Sequence, residues 1–429
     1  MKPLFVISCP IDTYSGYGGR SRDLVKAVIE TGKYDVRVLP QRWGNTPWGF
    51  IQDNPEWAFL KKHILTNPQL PKQPEVWMQI TIPNEFQPIG KFNIGVTAGI
   101  ETTVAHHTWI EGLNRMNLVL VSSEFSKQAL VESKYTAKDP NGNDAGVLEC
   151  TVPIEVVFEG ADLKTYFEDL QADTMGIQME EDFAYLFVGH WLQGDYGEDR
   201  KNVGLLIKAF YETFKNKRKK PALILKTSSA NTSYMDRDMI ERRIQDIRST
   251  CNTKDLPNIY LLHGDFSDSE MNNLYNHPKV KALVSITKGE GFGRPLLEFS
   301  LTKKPVIASN WSGHTDFLSK EFSVLLNGDL TQVHPSAAVE NMILTEGQWF
   351  SVNHGELGHY FKDVFENYKT YKNNANRQAF RSKSEFSWDM MKAKLEEILD
   401  KRVPEFPKEI QLQLPKLKKI ELPKRPTNG

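Results

Sequence analysis

Apolar and polar positions alternate along this chain in blocks that predict its elements. Phe5-Val6-Ile7-Ser8, Val36 to Leu39, Val76 to Ile80, Phe92 to Val96, Leu118 to Val121 and Ile154 to Val157 are short, nearly continuous apolar runs. They are too short for helices and read as strands buried on both faces. Between them lies helical spacing: Leu24, Val25, Val28 and Ile29 share one side, and Ser123-Glu124-Phe125 has the form of a capped helix start. Pro140 to Gly146 reads as a loop. After a polar, acidic stretch from Leu170 to Asp182 the alternation resumes. Strands are expected at 185–188, 222–225, 259–262, 282–285 and 306–308, and helices at 203–214, 236–247, 267–275, 295–301 and 388–401. Strands separated by helices predict βαβ units and mainly parallel sheets. The fold class expected is α/β, with two Rossmann-like parallel-sheet domains facing a cleft. The domains fall at 1–170 and 183–385, with a linker at 171–182, a late helix at 386–403 and a Pro/Lys-rich tail at 404–429.

Ligands of open α/β sheets bind outside the carboxyl ends of the strands. The segment Ser285-Ile286-Thr287-Lys288-Gly289-Glu290-Gly291-Phe292-Gly293-Arg294-Pro295-Leu296-Leu297-Glu298 has that form: a strand end, a Gly-rich turn, and Pro295 where a helix would begin. Gly291 and Gly293 allow a close backbone approach, and a helix start favours anionic groups. Glu290 and Glu298 bracket the turn, and carboxylates accept hydrogen bonds from hydroxyls. The pair suits a polyhydroxyl ligand carrying a phosphate.

Composition removes several classes. The 429 residues carry a net charge of −1, with 40% hydrophobic and 25% charged residues, an ordinary globular balance. That balance argues against a dedicated basic nucleic-acid binder. No apolar run approaches the roughly 18–20 residues of a membrane span, and no cleavage-site pattern follows the short apolar start. Cys9, Cys150 and Cys251 are too scattered for a disulfide framework or zinc site, which points to a reducing cytosol. Asp236-Arg237-Asp238 spells a metal-diphosphate motif, but in a polar helical stretch instead of after a strand, so no metal site is expected. The asparagine sequons at Asn231 and Asn310 mean little without a secretory signal. One asymmetry remains: residues 401–429 hold a local charge of +5 against −6 for the rest. Lys416, Lys418, Lys419, Lys424 and Arg425 could touch an anionic lipid surface, a nucleic acid or the acidic body, or form a solvated tail.

The Glu-(seven residues)-Glu spacing, with Gly-Phe-Gly inside and Pro after, resembles the signature of GT-B glycosyltransferases of the family-4, retaining type. Companion phrases agree in order: Val121 to Lys127, Glu159-Gly160-Ala161-Asp162, Arg200-Lys201-Asn202, Leu262-His263-Gly264-Asp265, and Pro305 to Ser309 with Ser312-Gly313-His314. The resemblance covers roughly residues 5–400. It implies an acceptor-side first domain, a nucleotide-sugar-binding second domain, and a last helix crossing back to the first. Glu298 would bind the ribose, Glu290 the transferred sugar, and the backbone of Gly291, Phe292 and Gly293 would contact that sugar. Lys201, helped by Arg200, would neutralise the departing diphosphate, where fixed charge favours the transition state. The family's arginine after the first strand of the second domain is replaced here by His190, followed by a long Trp191–Asp199 loop, so either His190 could supply part of the charge or the inserted loop could re-aim Arg200.

Gly16, Gly18 and Gly19 in Ser15 to Arg20 would form the loop over the donor phosphates. They stand too far beyond Ser8 for a dinucleotide fingerprint. Thr97 to Thr103 follows a strand on the acceptor side, where Glu101 is the first candidate for an acceptor-contacting group and His106 or His107 the second. The favoured mechanism of the family lets the leaving phosphate take the acceptor's proton, so no nucleophile is assigned. The reading is a cytoplasmic transferase using a nucleotide-diphosphate sugar as co-substrate and no cofactor. Its acceptor is a glycan, lipid carrier, protein or modified nucleobase. A nucleotide-sugar epimerase or hydrolase on the same fold and a non-catalytic binding module stay open as alternatives.

Overall fold

In the computed structural model, which describes residues 2–70, 72–138, 141–229 and 232–407, the apolar runs become the strands of two separate sheets. The first domain holds β1 (Leu4–Cys9), β2 (Asp35–Pro40), β3 (Val76–Ile80), β4 (Phe92–Val96) and β5 (Leu118–Val121). The ribbon of β6 (Tyr135–Lys138) and β7 (Asp144–Leu148) follows, and then β8 (Ile154–Val156). The sheet order is β2-β1-β3-β4-β5-β8, all parallel. The second domain holds β9 (Ala184–Val188), β10 (Ala222–Lys226), β11 (Ile259–Leu262), β12 (Val280–Ser285), β13 (Val306–Ser309) and β14 (Val324–Leu326). Their order is β11-β10-β9-β12-β13-β14, again parallel. An antiparallel ribbon, β15 (Gly328–Gln332) with β16 (Gln348–Val352), completes the described strands.

Helices cover the sheets: α1 (Gly16–Glu30), α2 (Phe50–Asp53), α3 (His107–Leu113) and α4 (Glu124–Glu132) belong to the first domain. The second carries α5 (Val203–Phe214), α6 (Tyr234–Ser249), α7 (Asp268–Asn276), α8 (Arg294–Ser300), α9 (His354–Glu366) and α10 (Tyr368–Glu385). The last helix, α11 (Trp388–Arg402), returns to the first domain. Its Trp388, Met391, Leu395 and Leu399 share one core with Phe5, Leu24, Val28 and Met78. Lys392 meets Glu30 at 2.6 Å, Lys33 meets Asp400 at 2.6 Å, and Arg402 pairs with Glu155.

Strand order reverses between β9 and β12, so the loops leaving these neighbours open into a crevice. Those loops hold Arg200 with Lys201 and the Gly-rich turn with Glu290.

Two local expectations are corrected. The Gly16-to-Gly19 segment is the first turn of α1, not a loop. The Ser15 hydroxyl caps it, accepting from Gly18 N at 3.0 Å, and burial of Leu24, Val25 and Val28 outweighs glycine's weak helix propensity. Residues 144–148, partly assigned to a loop, form β7, an exposed strand without apolar alternation. Just ahead of the polar 170–182 stretch the amides of Phe167 and Asp169 donate to Asn272 and Asn276 of α7, and Met179 within it is buried in the second-domain core. Among the described residues no helix is long and apolar enough to cross a membrane. Residues 408–429, which hold most of the basic tail, lie outside the described residues.

Leu395 is fully buried in the first-domain core. Leu395→Ala is expected to destabilise the chain by about 2–5 kcal/mol in chemical denaturation. An unchanged midpoint would mean that α11 does not dock there.

Candidate functional site

The turn between β12 and α8 is held from both sides. Ser309 Oγ donates to Thr287 O at 2.8 Å, Ser312 Oγ accepts from Glu290 N at 2.9 Å, and Gly313 N donates to Glu290 O at 2.9 Å. Gly293 caps α8 at φ +96°, a conformation that favours glycine. The helix starts at Arg294, so Pro295 is its second residue, one later than expected; its missing N–H has no intrahelical partner to lose.

The close approach at this turn is made by the first domain. The Ser123 and Ser122 hydroxyls donate to Gly291 O at 2.6 and 3.2 Å. A Cβ added at Gly291 would lie 2.2 Å from Ala98 O, and one at Gly289 would lie 1.9 Å from Glu101 O. Small residues here let the domains close. Glu124 N donates to Asp316 at 2.9 Å, Thr103 and Gln348 exchange two hydrogen bonds at 2.9 Å, and Phe125 meets Trp311 edge-on. The Phe292 ring is buried against Phe317 in the second-domain core, away from the cleft.

Charge converges on Glu290. Lys201 Nζ pairs with Glu290 Oε1, and Arg200 Nη1 reaches Glu290 Oε2 at 3.4 Å, Gly289 O at 3.0 Å and Glu101 Oε1 at 3.5 Å. Burial alone would raise the Glu290 carboxyl, but Lys201 and Arg200 outweigh it and hold the group down at about 2. Both cations precede α5 instead of lying in it, and Asn202 turns the chain at φ +57°. Asp199 accepts from Val203 N at 3.2 Å. His190 Nδ1 lies 3.2 Å from Ser228 Oγ. Crowding by the surrounding protein, then Lys201, Arg200 and Lys226, lowers its pKa, so the ring faces a positive field. His314, fully buried on the far side of the turn, has Nε2 2.6 Å from Ser309 O. Its Nδ1 has no partner among the described residues.

Glu298 occupies the other end of the turn. Arg294 Nε pairs with Glu298 Oε1 at 3.2 Å, Tyr275 OH donates to Oε2 at 3.3 Å, and Arg294 also bridges to Asp23 on α1. Burial pushes the Glu298 carboxyl up to about 8, with Asp268 and Glu159 adding repulsion against the pull of Arg294. Gly16 and Gly19 line a cleft cavity of 250 Å³ with Asp23, Arg294 and Glu298. Gly18 is buried beside Thr13. A larger cavity of 910 Å³ lies at the amino ends of β1 and β2, among Leu4, Tyr34 and Leu65, and contains none of these residues.

The structure therefore brings Glu290, Lys201, Arg200 and Glu101 together, and sets Glu298, Gly16 and Gly19 around a neighbouring cavity. His106 stands apart as the N-cap of α3, its Nδ1 accepting from Thr108 N at 3.3 Å, with the His107 ring tilted beside it at a centroid distance of 4.1 Å. In Asp236-Arg237-Asp238, Asp236 faces inward to His263 at 2.7 Å while Asp238 is exposed, as positions two apart on a helix must be. Sequence reasoning missed Asp23, Arg294, Ser122, Ser123 as a domain contact, Glu159 and the orphan nitrogen of His314. Of these, only Asp23 carried no signal: Arg294, Ser122, Ser123, Glu159 and His314 all stand in the phrases singled out above, Ser123 as a helix cap.

Two outcomes follow. Glu290→Ala leaves Lys201 buried without its carboxylate and is expected to destabilise the chain by about 3–5 kcal/mol, with Glu290→Gln milder, in denaturant titration. Glu298 moves from an ordinary 4.5 to about 8 on folding, so folding takes up a proton between those values and its contribution to stability falls as pH rises across them. Glu298→Gln removes that slope. Its melting temperature, relative to the unmodified chain, is expected to climb between about pH 5 and 8; a constant difference would contradict the raised value.

No protein-family model and no curated protein matches the chain. Solved structures do. Sucrose-phosphate synthase from Thermosynechococcus elongatus superposes with a TM-score of 0.61 at 13% identity, covering 94% of this chain and 99% of that one. A glycosyltransferase from Rickettsia africae gives 0.60 at 13% identity over 94% and 99%. HepE from Anabaena, solved with UDP and glucose, gives 0.59 at 14% identity over 93% and 100%. Likeness at this identity, spanning both domains, establishes the fold: two Rossmann-like domains in the GT-B arrangement.

Proposed function

We propose that the chain is a retaining glycosyltransferase of the family-4 type, moving a sugar from a nucleotide-diphosphate donor to a hydroxyl-bearing acceptor without a metal. The observation that carries this reading is the convergence of Lys201 and Arg200 on Glu290 at the switch-point crevice, with Glu298 at the other end of the same turn. The ribose hydroxyls take Glu298, replacing Arg294, and the transferred sugar takes Glu290. As Glu290 turns to hydroxyls, Lys201 and Arg200 become available to the diphosphate, with His190 beside them. The bond between the anomeric carbon and the phosphate oxygen then breaks, and the nucleoside diphosphate leaves with the electron pair. The acceptor oxygen bonds to that carbon on the same face, and its proton passes to the leaving phosphate. Fixed cations stabilise the charge that builds on the leaving group, and the closed domains supply positioning. Glu101, tied to Arg200, orients the acceptor side. UDP, seen in HepE, is the first nucleotide to try, with GDP and ADP beside it. The acceptor class stays as broad as glycan, lipid carrier, protein or modified nucleobase.

A thermal-shift screen with these diphosphates and their sugar esters tests the reading. A ligand that binds only the folded chain raises its melting temperature by mass action, about 2.7 kcal/mol of stabilisation at a hundredfold excess over Kd. Glu298→Ala is expected to abolish the shift and Lys201→Ala to reduce it by taking a cation from the diphosphate, while Glu290→Ala keeps nucleotide binding; Glu290→Ala and Lys201→Ala each lose about 100-fold or more in turnover. Product analysis with donor plus water against donor plus acceptor separates transfer from hydrolysis. Full transfer rates in all three variants would overturn the assignment.

A further inference from the structure

Glu159 lies where the chain leaves β8 for the second domain, and its backbone is clamped on both sides. Arg20, 2% exposed, donates from Nη1 to Phe158 O at 2.8 Å and from Nη2 to Val157 O. Ala161 N donates to Phe386 O at 3.0 Å and accepts at its own carbonyl from Trp388 N at 2.8 Å. The side chain so placed is only 9% exposed, and among the described residues no hydrogen bond or ion pair reaches its carboxyl. Its nearest cations are engaged elsewhere, Arg20 with carbonyls and Arg294 with Asp23 and Glu298. The group nevertheless sits amid the site: Arg294, Arg20, Asp23 and Glu290 act on it electrostatically, and it acts on Glu298 and Tyr17. Its oxygens are not sealed, and Asp162, three residues on, lines the 250 Å³ cleft cavity with Asp23, Arg294 and Glu298.

A carboxyl held out of water without a partner is unfavourable, and a purely structural position would fill it with an apolar side chain or pair it. A site whose ligand brings the missing donor has reason to keep it. Arg294 and Arg20 are already engaged and Glu159 is itself an acceptor beside Asp23 and Glu290, so the matching chemistry is a neutral hydroxyl donor instead of an anion. We propose that Glu159 is a third sugar-reading carboxylate of the cleft, accepting a hydrogen bond from a hydroxyl of a sugar held between the domains. This rests on the function proposed above. The hydroxyl belongs either to the transferred sugar or to a sugar acceptor, and the two sources separate by experiment.

The test uses the full chain with Glu159→Ala and Glu159→Gln. Calorimetry first finds which of UDP, GDP and ADP binds the unmodified chain, and then which of its glucose, mannose and N-acetylglucosamine esters binds best. If Glu159 reads the transferred sugar, Glu159→Ala keeps the Kd for the free diphosphate and weakens the ester by about tenfold, with Glu159→Gln between. If it reads the acceptor, both ligands bind as before, donor hydrolysis in water is unchanged, and KM for a glucose or maltose acceptor rises by about tenfold at constant kcat. Variants that match the unmodified chain in every measurement overturn the role of Glu159 alone. Equal loss of free diphosphate and ester also overturns it, by showing a structural role. An unmodified chain that binds none of the nucleotides overturns the proposed function and this inference together.

Discussion

Glu290 is a carboxylate taken almost wholly out of water, and such a group must be paired or give up its charge. Here it is paired by two cations from a different loop, Lys201 and Arg200. That requirement draws the chain before α5 against the turn after β12 and fixes both at the point where strand order reverses. The same turn presents Gly291 O to Ser122 and Ser123 of the other domain. One buried charge therefore joins the two loops of the second domain, and the loops in turn form the surface on which the first domain closes.

The rest of the cleft is less well compensated. Glu298 has an arginine and a tyrosine, yet burial still raises its carboxyl to about 8. Glu159 has no direct partner, and the Nδ1 of His314 is an orphan among the described residues. Elsewhere Arg22 donates to backbone carbonyls and Glu75 takes Leu4 N, Lys72 and Lys91, although single orphan atoms also stand at His63, Trp77 and Trp109. At the crevice, unmet hydrogen-bonding capacity on ionisable groups is what a polar ligand would relieve, and stability withheld at a site is the usual companion of function.

Much of the fold was legible because parallel strands buried on both faces leave dense apolar runs. β3, β4, β5, β11 and α5 fall on the expected residues, since their patterns are strong and sharply bounded. The ribbon of β6 and β7 was not legible, because its exposed strands carry no alternation. Nor was α10, whose eighteen residues are largely polar and bury only a few small side chains. At the site, the Glu pair and the basic residues could be named from spacing and resemblance, but their pairing could not. Whether Lys201 faces a carboxylate or solvent depends on contacts between residues nearly ninety positions apart. The glycines misled in an instructive way: at Gly16 to Gly19 a cap made them helical, and at Gly289 and Gly291 the missing side chain admits another domain's backbone.

A structure of the chain with a bound nucleoside diphosphate tests the central claim most directly, because the claim concerns which contacts exchange. The ribose hydroxyls are expected on Glu298 with Arg294 displaced, and the diphosphate on Lys201 and Arg200 with the contact to Glu290 opened. A nucleotide seated outside the crevice, or one that leaves both Glu298–Arg294 and Glu290–Lys201 intact, would contradict it.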